Sequence, residues 1–362
     1  MMNKIRVAIT HGDTNSIGYR LIFKAFETDD LYDSFVPIVY GSPKVAAYHR
    51  KYLESSTNFS IIQQAGDAQV SRLNLLAAFD DDVKVTIGEP NKDSARAAFR
   101  ALNKALDDYT QQAYDVLVTM PVEQALMQEI DSAYTGEMDY ISMHLNFKDV
   151  SRLFVTDNIR LMLVSENTRL CDVPEDITVE HILSKARLLH TTLMRDFRIS
   201  NPRIALLSVN VCPQQEEAET IRPAIEKLAE EKIQCFGPYN ADAFFSQKMY
   251  ENFDATLAMY YDQAVPQMLM SSDECVVMTI GMPLIHCSLL QTRDPKSENL
   301  KALYLALDTF RNRNSYDEAH QNPLPKLYHE HREGEERRPP RFSTLDFLNK
   351  DKAPKGEKGT ED

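Results

Sequence analysis

Short β-branched runs alternate with longer segments of helical period along most of this chain, and that alternation restricts the folds open to it. Residues 5–10, 35–40, 116–120, 161–165, 204–208, 255–260 and 276–279 have strand composition. Between them, residues 94–109, 179–197, 218–231 and 297–313 place apolar side chains at three-and-four spacing, the period of an amphipathic helix. In 179–197, for example, Ile182, Leu183, Ala186, Leu189, Leu193 and Phe197 share one side. Strand–helix alternation of this kind predicts α/β layers around a largely parallel sheet. At 362 residues the chain exceeds what one core usually serves, so two domains are expected.

From residue 323 the pattern stops. KLYHEHREGEERRPPRFSTLDFLNKDKAPKGEKGTED is dense in charge, proline and glycine, and buries too little apolar surface to offset its ordering entropy. Residues 323–362 are expected to be a disordered tail. Its apolar island, Phe342 to Phe347, is either a docking motif or, more plainly, a strip against its own domain.

Composition excludes several function classes. A net charge of −14 argues against a nucleic-acid or anionic-membrane partner, each of which needs a basic patch. No run approaches the roughly 18 apolar residues of a membrane span. The opening MMNKIRVAIT enters a strand directly, without a signal peptide, so a cytoplasmic location is expected. The five cysteines lack CxxC spacing and are expected to be free thiols. Glycine is scarce, 11 residues in all, which limits phosphate cradles built from glycine backbone.

Three local features carry possible chemistry. LAMYYDQAVP ends a strand in Tyr261, Asp262 and Gln263 ahead of an expected turn, where α/β proteins commonly place their sites. HGDTNSIGYRLIFKAF sets Asp13, Asn15 and Ser16 before a helix, either to receive an anion or simply to cap the helix after a tight turn. It is neither GxGxxG nor a P-loop. Cys212 ends a strand but has no basic neighbour in sequence to lower its pKa. The histidines form no HxxxH or HxH pair before residue 323, and there is no GxSxG elbow.

Seven stretches in order resemble the 4-hydroxythreonine-4-phosphate dehydrogenase family: ITHGDTNSIGY, YGSPKVAAYHR, DVLVTMPVEQ, NPRIALLSVNV, CFGPYNADAFF, AMYYDQAVP and VVMTIGMPLIHCS. The resemblance covers residues 4 to 322. It implies two α/β/α domains flanking a cleft, like those of isocitrate and isopropylmalate dehydrogenases. One is expected over residues 1–135 with 290–322, the other over 136–289. It further implies a homodimer, NAD as cofactor, and a divalent metal held by three histidines, two from one subunit and one from the other. In the family that metal polarises the substrate hydroxyl while hydride passes to NAD in pyridoxal phosphate biosynthesis.

This chain departs at those positions. Matched to the family motifs, the metal histidines become Asn167, Cys212 and Tyr261. On the substrate side a His–Thr pair becomes Glu137–Met138, a lysine Leu269, an asparagine Val277 and an arginine His286. Asp13, Asp242, Asp262 and Gln263 are retained as cleft residues. A divalent metal is therefore not expected. Charge-assisted hydrogen bonds to phosphate contribute roughly 1.5–3 kcal/mol each, so losing a lysine and an arginine weakens binding by about a hundred- to ten-thousand-fold. The expected function is that of a family homologue without the metal-dependent activity, acting as a binding or regulatory protein. The partner is a second copy or a complete paralogue. The rival is a metal-independent NAD-linked dehydrogenase using His286 or Tyr261 as acid/base.

Overall fold

The computed structural model describes residues 4–79, 83–212, 214–271, 274–290 and 299–321. The expected tail, with its Phe342–Phe347 island, and the expected helix start at Ser297 lie outside the described residues.

All seven expected strands form, and among the described residues five more join them. In chain order the strands are β1 (Ile5–Thr10), β2 (Phe35–Gly41), β3 (Phe59–Ile62), β4 (Leu73–Ala77), β5 (Val116–Thr119) and β6 (Ser151–Val155). They continue with β7 (Arg160–Leu163), β8 (Arg203–Leu207), β9 (Gln234–Tyr239), β10 (Ala255–Ala258), β11 (Val276–Ile280) and β12 (Ile285–Leu289). They make one sheet in the order β3-β4-β2-β1-β5-β12-β11-β6-β7-β10-β8-β9. Both wings are parallel, as the strand–helix alternation predicts. The centre is not: β11 runs antiparallel to both β12 and β6, and β6 antiparallel to β7. The β6–β7 pair is a hairpin whose Thr156–Asp157–Asn158 turn separates two apolar runs, a hairpin signature in its own right.

Side-chain alternation sorts the strands' residues onto two faces. One face is a single apolar layer. Ile5, Val7, Ile9, Val116, Val118, Leu153, Met162, Val276, Met278, Ile285 and Cys287 pack there with Ile182, Leu189 and Leu193 of the helix Val179–Asp196 and Leu303 and Ala306 of the helix Lys301–Gln321. Each fully buried leucine or isoleucine stabilises that layer by about 1.5–3 kcal/mol.

The opposite face carries two separate clusters. One covers the β1 wing, with Ala8, Ile38, Tyr40 and Leu117 against Ala98, Ala101 and Leu102 of the helix Lys92–Thr110. The other covers the β10 wing, with Leu161, Leu163, Ala205, Leu207 and Ala258. Between them, over β12, β11 and β6, the floor turns polar. Arg152, Thr279, His286 and Ser288 stand there in strands otherwise rich in apolar residues.

Two sequence expectations need correction. Tyr261–Gln263 is not followed by a turn: it opens a helix, Tyr261–Ser271, which accommodates Pro266 in its second turn. The expected helix 218–231 begins as a π-helical turn, Glu217–Ile221, before α geometry takes over at Arg222. Pro223 has no N–H to give, so the regular ladder is already interrupted there.

Candidate functional site

The polar gap is the floor of a cavity of about 470 Å³. Four neighbouring strands build it in register: Ser288 lies opposite Thr119 of β5 and Val277 of β11, and Thr279 opposite His286 of β12 and Arg152 of β6. The walls come from residues 120–124, the start of the helix Glu137–His144, Glu166–Asn167 after β7, and Tyr261 after β10.

His286 sits in the floor, 1% exposed. Its Nε2 meets the Thr119 hydroxyl at 2.9 Å and its Nδ1 the Thr279 hydroxyl at 2.8 Å. Burial pushes its pKa down to about 3, so the ring is neutral and both nitrogens are engaged. The Glu137 carboxylate stands 3.8 Å from His286 Nε2 and accepts hydrogen bonds from Thr119 and Ser288. Desolvation outweighs those bonds and raises its pKa to about 7.

The second polar group centres on Arg152. Its Nε donates to Glu166 Oε2 at 2.9 Å and its Nη2 to Asn167 Oδ1 at 2.7 Å. Asn167 Nδ2 in turn donates to Asp139 Oδ2 at 2.8 Å. Lys185 supports the far side of Glu166 at 3.3 Å and also donates to Ser151. Tyr261 packs edge-on against Phe154, and burial raises its phenol pKa, keeping it protonated.

The cavity thus gathers six positions singled out in the sequence: Glu137, Met138, Asn167, Tyr261, Val277 and His286. Asn167 and Tyr261 meet within one chain, because β7 and β10 are parallel neighbours and both residues follow their C-terminal ends. Cys212 follows β8, the other parallel neighbour of β10; it is exposed and is not among the residues that line this cavity. Asp242 and Gln263 line a different cavity of about 620 Å³ beside Ser208, Asn210 and Phe245. There Gln263 spans the β10 end, donating to Ser208 O at 2.5 Å and accepting from Met259 N at 2.9 Å. Asp262 is exposed, and Leu269 packs on the apolar cluster of the β10 wing.

Asp13 is buried and lines neither cavity, sitting behind the wall formed by residues 120–124. Its carboxylate accepts from Asn15 N–H and the Ser94 hydroxyl, both at 2.8 Å, and its own N–H donates to Pro121 O. The Asn15 amide ties the turn to Thr86 and Glu89. Gly12 is required there by its φ of +71° and by Pro121 O, 2.5 Å from where a Cβ would sit. The turn spends the Asn15 N–H, the Asn15 amide and the Ser94 hydroxyl internally.

The donor set does not fit a metal. Both amide atoms of Asn167 are committed, Cys212 is not in the cavity lining, and a guanidinium adjoins Asn167. Among the described residues no group of three or more His, Cys, Asp or Glu is arranged to hold an ion. Arg152, Glu166, Thr119, Thr279, Ser288 and Asp139 were not singled out from the sequence. The legible signal was the β6–β7 hairpin turn, which would have placed Arg152 on a strand, though not on a central one.

A family model described as pyridoxal phosphate biosynthetic protein PdxA matches residues 33–290. The chain belongs to the PdxA family. A 4-hydroxythreonine-4-phosphate dehydrogenase of Bacteroides thetaiotaomicron is 37% identical over 348 residues, 91% of this chain and 96% of that protein. Another, from a Sulfurihydrogenibium species, is 30% identical over 78% of this chain and 89% of its own length. Solved 4-hydroxythreonine-4-phosphate dehydrogenases from Burkholderia phymatum and Klebsiella pneumoniae share the fold, with TM-scores of 0.67 and 0.68 at 21% and 20% identity. They cover 85% and 86% of this chain and 98% of each solved chain. No helix among the described residues is long and apolar enough to cross a membrane.

Proposed function

We propose that this PdxA-family chain binds a small polar ligand in the cavity over β5, β12, β11 and β6, without the metal-dependent dehydrogenase step of its relatives. One observation carries the reading: Arg152 donates to Asn167, the residue at a family metal position, and so puts a fixed cation where a metal would need a lone pair. The two halves, residues 1–135 with 290–322 and residues 136–289, are in this reading the two sides of the cavity. The chain acts in the cytoplasm as a homodimer or as the partner of a complete paralogue in pyridoxal phosphate biosynthesis. Co-expression with such a paralogue and tagged purification tests the partnership, and homodimers alone would remove the regulatory role.

The activity test is direct. With NAD, zinc or magnesium, and 4-hydroxythreonine 4-phosphate, the purified protein is expected to give no NADH above background. Efficient turnover would overturn the reading. Placing histidines at Asn167, Cys212 and Tyr261 is expected to give little metal binding as long as Arg152 remains, because the guanidinium repels the ion.

The second reading is a metal-independent, NAD-linked dehydrogenase. Glu137, with a pKa of about 7, is the group suited to acid/base work in it. His286 is not: it is buried, neutral and held at both nitrogens. NADH formation without added metal, abolished by Glu137→Gln, would favour this reading. A thermal-shift screen with nucleotides tests NAD binding separately.

A further inference from the structure

The first edge of the sheet is open. β3 pairs only with β4, so alternate residues of Phe59–Ile62 turn their N–H and C=O groups outward, and among the described residues no further strand meets them. Such an edge is a template for another strand.

The surface around it has the opposite sign to the molecule. The chain carries a net charge of −14, yet residues 43–76 hold four basic side chains, Lys44, Arg50, Lys51 and Arg72, against two acidic ones, Glu54 and Asp67. The same stretch is rich in exposed apolar surface. Tyr48, Tyr52, Ile61 and Val70 are four of the eleven large apolar side chains that stand exposed among the described residues. Lys44, Tyr48, Lys51 and Tyr52 share the outward face of the helix Pro43–Tyr52, three and four residues apart.

Two arginines straddle the edge strand. Successive side chains of a strand point to opposite faces, so Phe59 and Ile61 share one face and Ser60 and Ile62 the other. Arg50 places its guanidinium 5.3 Å from the centroid of the Phe59 ring and donates to Asn58 Oδ1 at 3.3 Å. On the other face, Arg72 Nη1 lies 3.5 Å from Ser60 Oγ. Among the described residues neither guanidinium is paired with a carboxylate. The loop that carries Val70 and Arg72 is fixed by the buried Asn74, which accepts from Gln69 N–H at 2.8 Å and donates to Gln69 O and Arg72 O at 2.9 and 3.0 Å. A surface held in place before its partner arrives limits the ordering cost of binding.

Charge and alternation select the occupant. In an extended peptide bonded to the β3 edge, two consecutive acidic residues set one carboxylate toward each arginine. An apolar residue beside them finds Ile61. A second copy presenting the same edge brings arginine against arginine and is disfavoured.

We propose that the β3 edge takes up an extended acidic segment of a partner protein as an additional strand, with carboxylates at Arg50 and Arg72 and an apolar side chain on Ile61.

Calorimetric titration of the full chain with the capped peptide Val-Thr-Glu-Glu-Thr-Val tests this. The peptide reads the same from either end, so it fits a parallel or an antiparallel strand. Replacing both glutamates by glutamine is expected to weaken it about tenfold. Adjacent residues point their N–H groups to opposite sides, so methylating both glutamate backbone nitrogens removes one edge bond in either direction and keeps both charges. That peptide is also expected to bind at least tenfold more weakly. On the protein side, Arg50→Gln and Arg72→Gln are each expected to weaken the parent peptide about threefold, the scale of an exposed ion pair, and about tenfold together. Arg187→Gln, an exposed arginine of the helix Val179–Asp196, is expected to leave binding unchanged. No binding of the parent peptide at millimolar concentration would overturn the proposal. Undiminished binding of the methylated peptide would also overturn it, by showing attraction to charge without strand addition. Displacement of the peptide by a lower concentration of oligodeoxythymidylate would give the surface to a nucleic acid and overturn it too.

Discussion

Glu137 and His286 stand 3.8 Å apart and share Thr119, yet burial moves them in opposite directions, the acid up to about 7 and the base down to about 3. Each is driven toward its neutral form, as a low-dielectric floor requires. For Glu137 the sign of the pH effect follows. Its folded pKa lies above the unfolded value of 4.5, so its stabilising contribution is complete below about pH 4.5 and is lost as pH rises through 7. Glu137→Gln is therefore expected to match the wild type in thermal stability near pH 4.5 and to exceed it above pH 7. A shift of this size corresponds to about 3 kcal/mol at most, and the 21% exposure of the side chain holds it below that ceiling. Melting curves between pH 4.5 and 8.5 check it: a constant gap between the two proteins would mean that folding leaves the carboxylate's pKa unshifted.

At the scale of elements, the β11–β12 hairpin supports the cavity floor, and two residues hold its turn. Gly281 adopts a φ of +92°, and a Cβ there would lie 3.1 Å from Val150 Cα. Arg313, on the helix Lys301–Gln321, donates to Pro283 O at 2.6 Å and grips the carboxylate of Asp196 through Nε at 3.0 Å and Nη2 at 2.8 Å. Gly281→Ala is expected to cost at least about 1–2 kcal/mol from the left-handed backbone alone. Arg313→Met is expected to cost up to about 3–5 kcal/mol, the penalty for breaking a buried pair. Arg195, which also bonds Asp196 at 2.7 Å, keeps the loss toward the lower end. Urea denaturation measures both. The wings were legible in the sequence because parallel strands buried on both faces are continuous β-branched runs, as in residues 35–40 and 116–120. The centre was harder to see: Arg152 and His286 interrupt the apolar pattern of β6 and β12, and the sequence does not say that 151–155 and 276–289 lie side by side. The same reason hid Arg152. Motif matching marked Asn167, Cys212 and Tyr261 alike, but only the folded cavity shows that Cys212 is not in its lining.

At the scale of the whole molecule, the cavity floor is assembled from distant pieces of chain, with Thr119 of β5 paired to Ser288 of β12, 169 residues later. Ribosomes make chain from the N-terminus at about 5–20 residues per second, so β5 waits on the order of 10–30 s for its neighbour. During that interval the nascent first wing, complete from β3 to β5, carries an open sheet edge, the kind of surface that recruits other strands. A fragment ending at residue 275 lacks β11 and β12 and keeps that edge for good. It is expected to sediment as aggregate or to co-purify with chaperones when expressed alone, whereas the full chain stays in the supernatant. A soluble, monomeric fragment would mean that something other than β12 shields β5. In the cell the cavity floor is complete only once residue 289 has been made, so a chain that stalls earlier is expected to lack the floor and to keep the β5 edge open.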